Sequence, residues 1–167
     1  MNPNFILFTI IPFILMFAIA VGMPFYRLNI LQKAGEKKLS LVKKSARLSY
    51  VTSAVAVVVM LLSIMFDFGR LNFIIPYCSV LGLFVSIRES NFLPVNGVYE
   101  KLLITGSDIL FFDDIISLPL EELPQEERAR YPDNVLVVVT KKRGKRQLTF
   151  DNANELGEVL SLLKKAM

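Results

Sequence analysis

At 167 residues, 53% hydrophobic and 20% charged, the chain is more apolar than an ordinary soluble domain, whose apolar share is about 45–50%. Its net charge of +4 does not mark a nucleic-acid binder: residues 27–47 hold seven Lys/Arg against one Glu, whereas from Glu89 onward ten Lys/Arg face thirteen Asp/Glu. The positive excess thus lies between apolar runs, where membrane topology puts it, and the one cysteine, Cys78, excludes an intramolecular disulfide and reads as an inert thiol.

Phe5 to Tyr26 carries no charge, and as a helix it would extend about 33 Å, enough for a hydrocarbon core of about 30 Å. A cleaved signal peptide is the rival reading, with Ala18 and Ala20 as its small residues. Met1 to Asn4 contains no Lys or Arg, however, and the run continues past Ala20, so a retained span is expected, with a kink near Pro12. Leu48 to Phe66 is a second uncharged run, closed by a turn at Asp67 to Arg70. Leu71 to Ile87 is a third, shorter and containing Pro76.

Between the first two runs lie Arg27, Lys33, Lys37, Lys38, Lys43, Lys44 and Arg47. Leu39, Val42 and Ala46 follow helical spacing, so the segment is expected to extend the flanking helices, with Gly35 as its turn. Such a basic loop stays on the cytoplasmic side. Three crossings then give an external N-terminus and an internal C-terminus. Lys33, Lys37, Lys38, Lys43 and Lys44 read as topology determinants facing the inner leaflet, with specific anionic-lipid contact as the functional alternative. Ala18 and Gly22, and Ser79, Gly82 and Ser86, have close-packing spacing suited to helix contacts within the chain, in a homo-oligomer or with a membrane-protein partner. The spans contain no ionisable residue of the kind that lines ion or proton pathways.

From Pro94 the texture is that of a small α+β domain, giving a division into 1–93 and 94–167. Gly97 to Thr105, Ile109 to Phe112 and Ile115 to Leu120 read as a meander of strands. Pro119 to Asn134, with three prolines and five acidic residues between Glu121 and Asp133, reads as a long exposed loop. Val135 to Val139 and Gln147 to Phe150 flank a hairpin turn at Gly144. Asn152 and Glu155 form a capping box for a helix whose Leu156, Val159, Leu160 and Leu163 share one face. Four or five strands and a closing helix are expected, as an antiparallel sheet or partial barrel.

Gly97-Val98-Tyr99-Glu100 at the first strand, Phe112-Asp113-Asp114-Ile115 ahead of a later one, and the helix from Asp151 to Leu163 together resemble the bacterial pleckstrin-homology-like (PH-like) domains that follow two or three membrane spans. The resemblance covers roughly residues 96–167. It implies a binding module without catalytic residues in the bacterial inner membrane.

No nucleotide-binding glycine pattern, nucleophile elbow or zinc motif occurs, and His, the commonest general base, is absent. No catalytic, cofactor-binding or metal-binding residue is therefore expected; Asp113 and Asp114 read as turn residues rather than metal ligands. Lys141, Lys142, Arg143, Lys145 and Arg146 form a basic hairpin tip suited to phosphate or anionic lipid, with a solvated hairpin end as the alternative. Glu121, Glu122, Glu126, Glu127, Arg128 and Arg130 read as a solvated insertion or a partner-docking segment. The expected function is a non-enzymatic membrane anchor or scaffold whose cytoplasmic domain binds a partner or headgroup. The alternative is an accessory subunit of a larger transporter or envelope complex.

Overall fold

The computed structural model describes residues 6–42, 45–66, 68–121, 123–128 and 130–166. The chain forms two compact units, one of residues 1–31 and 44–94, the other of residues 32–43 and 95–167.

The first unit is helical: α1 (Ile11–Ala34), α2 (Arg47–Met65) and α3 (Ile75–Phe92). With their flanking turns they give, among the described residues, three segments long and apolar enough to cross a membrane, Ile6–Ala34, Arg47–Met65 and Leu71–Val95. Most of their apolar side chains, Phe13, Phe17, Val55, Leu61 and Leu81 among them, stay exposed, an arrangement that matches lipid and would be costly against water. A narrow inner face holds the helices together through Met16, Ala56, Met60, Val80 and Leu83. Of the small residues, Ser79 and Ser86 are buried, and a Cβ built on Gly82 would stand 3.8 Å from Ala56. Gly22 has nothing comparably near.

Pro12 and Pro76 are accommodated locally. Pro12 follows a π-turn, Ile6–Ile10, and lacks the N–H that would meet the Leu7 carbonyl in that geometry. The Tyr77 hydroxyl donates to this carbonyl instead, at 2.8 Å. Pro76 lies in the first turn of α3, where a missing N–H costs nothing. The third helix therefore needs no kink and runs beyond Ile87 to Phe92. There the Ser49 hydroxyl donates to Glu89 at 3.0 Å.

Among its described residues the second unit has seven strands rather than four or five. β1 (Lys37–Ser40), β2 (Gly97–Tyr99), β3 (Leu102–Thr105) and β4 (Asp108–Phe111) form one antiparallel sheet in that order; β5 (Ile115–Ser117), β6 (Val135–Thr140) and β7 (Gly144–Thr149) form another. A one-turn helix α4 (Gln125–Arg128) and the C-terminal helix α5 (Ala153–Ala166) complete it. Val98, Leu103, Leu110, Leu136, Val138 and Leu148 from both sheets share one core with Leu156, Val159 and Leu163 of α5.

Three further expectations are corrected. Residues 37–40 are a strand, not a helical extension: Leu39 and Leu41 turn toward the core with period two, and only Arg27 and Lys33 of the basic segment continue α1. Residues 97–105 are two strands, folded back at Glu100 and Lys101. No described residue other than glycine has positive φ, so this turn lacks the usual hairpin chemistry. It is held from outside, by Glu100 N–H on the Glu36 carbonyl at 3.0 Å and Lys101 N–H on the Ala34 carbonyl at 3.1 Å. Finally, the 119–134 segment is not merely exposed, because its Leu120 and Leu123 cover Val135 and Val137 on the second face of β6. Leu136 and Val138 face the main core.

The capping box forms, with Glu155 N–H donating to Asn152 Oδ1 at 2.7 Å and Glu155 Oε2 accepting from Asp151 N–H at 3.1 Å. Glu155 Oε1 also accepts the Val42 N–H at 2.7 Å, so one carboxylate caps α5 and fixes the exit from β1.

Gly97 is the contact on which β1 depends. A Cβ there would lie 2.5 Å from the Leu39 carbonyl oxygen and against the Lys37 side chain. Gly97→Ala should therefore cost about 1–3 kcal/mol, the usual price of overpacking, and hydrogen exchange should show protection lost at residues 37–40 but kept in β3 and β4. In the helical unit, Tyr77→Phe should lower stability in a bilayer by about 0.6–1.7 kcal/mol, the range of interhelical hydrogen bonds in lipid, as measured by reversible unfolding.

Candidate functional site

The basic hairpin forms where the residue pattern places it, with Thr140 opposite Gly144 and Gly144 at φ 65°. Lys141, Lys142, Arg143, Lys145 and Arg146 are all exposed, but their charges are not equally available. Lys141 Nζ donates to the Asp113 carbonyl at 2.8 Å. Lys142 pairs with Asp114 at 3.2 Å and Arg146 with Asp108 at 3.7 Å. Arg143 and Lys145 have no ion pair among the described residues. Strand β7 is also a sheet edge, and positive side chains on an edge obstruct pairing with other chains.

The lysines between the first two spans separate. Lys33 is exposed near the end of α1. Lys37 lies over the Tyr99 ring, 5.7 Å from its centroid. Lys38 is the extra residue of a bulge, since Lys37 pairs with Tyr99 and Leu39 with Val98. Its ammonium reaches Glu100 Oε1 at 3.1 Å and Glu36 Oε2 at 3.5 Å. Lys43 and Lys44 lie outside the described residues, as does Glu122 of the acidic segment. In that segment Glu121 pairs with Lys164 at 2.7 Å, and Arg128 donates to the Pro132 and Val135 carbonyls, each at 3.4 Å.

Beside the Lys38–Glu100 pair the second unit carries a cleft of about 640 Å³, within the range of small-molecule sites. Buried Val98, Tyr99 and Phe112 and half-buried Leu162 give it apolar walls. Glu100, Lys101 and Lys165 add charge to the same lining. The β2–β3 turn that carries Glu100 and Lys101 is fixed by its bonds to Ala34 and Glu36, and by Phe112 N–H on the Lys101 carbonyl at 3.0 Å. These residues come from distant segments, and the sequence marks them only by an acid and a base interrupting an apolar run at Glu100-Lys101.

The Glu100 carboxyl is held below the usual glutamate range, chiefly by the hydrogen bond from Lys38 and then by the Glu36 backbone N–H. The Lys38 ammonium is raised in turn, chiefly by its hydrogen bond to Glu100. Comparison with protein-family models, curated proteins and solved structures finds no match to this chain.

A lowered Glu100 stabilises the fold at neutral pH, and that contribution is lost as pH falls through the acid range, below about 4. A raised Lys38 contributes at neutral pH and loses its part only above the ordinary lysine range, beyond about 10. Thermal melts should therefore separate wild type from Glu100→Gln at pH 7 and converge near pH 3. A gap that persists unchanged at acid pH would remove the pair from the pH response.

Proposed function

We propose that this chain is a non-enzymatic bacterial inner-membrane protein, with its N-terminus outside and its α+β unit inside the cell, whose PH-like domain engages an anionic headgroup through the hairpin at Gly144. The observation that carries the reading is β1. A strand from between the first two helices completes the sheet of the second unit, so the chain enters this domain after α1, leaves it for α2 and returns after α3. A domain held by that many connections has no need to find a membrane, and its basic residues act at high effective concentration on an anionic surface. The positive residues of the segment between α1 and α2, against Arg70 alone in the next turn, favour the internal side for it. Among the described residues, seven strands in sheets of four and three with a C-terminal helix support the PH-like reading, and neither sheet closes into a barrel.

A second reading, the accessory subunit, has its own support. A groove of about 320 Å³ lies between α2 and α3, lined by Thr52, Ala56, Ile75, Cys78, Ser79 and Gly82, and small residues are what allow another helix to approach closely in lipid. Mild-detergent purification of the native protein separates the two: a stoichiometric polytopic partner favours the subunit.

Because β1 belongs to the domain, the hairpin is tested in the full chain. Reconstituted in neutral nanodiscs, it should recruit anionic vesicles in a salt-sensitive manner, exposed charges being screened over about 8 Å at physiological ionic strength. Changing Lys141, Lys142, Arg143, Lys145 and Arg146 to Gln should abolish recruitment, with surface changes costing only about 0.5 kcal/mol each in stability. A wild-type protein that ignores anionic vesicles at low salt overturns the headgroup reading.

A further inference from the structure

We infer that the cleft beside Glu100 binds a small anionic amphiphile, a phosphate or carboxylate head on a short apolar body, independently of the hairpin. The charge distribution selects the sign of the ligand. Glu100, the one acid among the described residues of the lining, is occupied on both oxygens, by Lys38 at 3.1 Å and by the Glu36 N–H at 3.4 Å. Lys101 and Lys165 line the same space and make no ion pair among the described residues, Lys101 acting on Glu100 only as the weakest of its influences, whereas the neighbouring Lys164 is taken by Glu121 at 2.7 Å. The ionic balance of the lining is thus two ammonium groups in excess. Lys165 stands at the carbonyl end of α5, which carries about half a negative charge. Lys101, on the β2–β3 turn, is therefore the stronger anion contact.

The walls select the body of the ligand. Val98, Phe112 and Leu162 offer a bare anion nothing, but they shield methylenes from water, at about fourfold in affinity for each one fully buried. The site needs little ordering on binding, since three backbone hydrogen bonds already fix the turn that presents Lys101.

The test titrates the full chain, in neutral phosphatidylcholine nanodiscs, with inorganic phosphate, ethyl phosphate and hexyl phosphate by calorimetry. Affinity should rise from phosphate to hexyl phosphate. It should fall at least tenfold in Lys101→Gln/Lys165→Gln, more in Lys101→Gln than in Lys165→Gln, and be kept in Lys101→Arg and in the five-Gln hairpin variant. Thermal melts of each variant establish that the fold is intact. Nanodiscs containing phosphatidic acid distinguish the sources: loss of hexyl phosphate binding there points to a lipid headgroup, and undiminished binding to a soluble ligand. No saturable binding of hexyl phosphate, equal affinity for phosphate and hexyl phosphate, or equal binding by a folded double variant overturns the inference.

Discussion

The second unit depends on the pairing of β1 with β2. Without it, β2 would present an unpaired edge, and the backbone N–H groups of Glu100 and Lys101 would lose the carbonyls that satisfy them. The pairing requires a residue without a side chain at Gly97, where the backbone of β1 passes closest. Glu100 folds back on Glu36 and Lys38 at the start of β1, and Glu155 receives the Val42 N–H just beyond its end. Two carboxylates thus pin a four-residue strand whose own ladder would be too short to hold it.

This dependence explains which parts of the fold were legible in the sequence. Uncharged runs of spanning length, the Asn152–Glu155 capping box and the apolar face of α5 each carry their signal within one stretch of chain, and each is found where that signal placed it. Strand β1 was hidden because Leu39, Val42 and Ala46 also satisfy a helical period, and a strand of four residues is too short for alternation to outweigh them. The turn between β2 and β3 was hidden for a related reason. Turn chemistry in sequence marks turns that stabilise themselves, and Glu100-Lys101 is stabilised instead by carbonyls at Ala34 and Glu36.

The candidate sites divide along the same line. The hairpin at Gly144 could be read directly, because its five basic residues are adjacent, but adjacency did not disclose that Asp108, Asp113 and Asp114 hold three of them. The cleft gave no comparable signal, since the β2–β3 turn, Phe112 and α5 meet only in the folded unit.

Counting basic residues therefore gives the wrong measure of affinity for anions, because an ammonium engaged by a carboxylate contributes little field beyond its partner. The relevant quantity is the positive charge left after internal pairing, and the wall on which that charge stands. At the hairpin the remainder, Arg143 and Lys145 with Lys141, whose ammonium meets only the Asp113 carbonyl, is solvated beside a sheet edge and suits a broad surface. In the cleft the remainder, Lys101 and Lys165, stands against Phe112 and Leu162, so attraction for a head group and burial of its apolar body act on one molecule. Glu100 links this site to the assembly of the domain. Its pairing with Lys38 both secures β1 and removes the one negative charge that would repel an anion, so the fold acquires its last strand and the cleft its positive sign through the same contact.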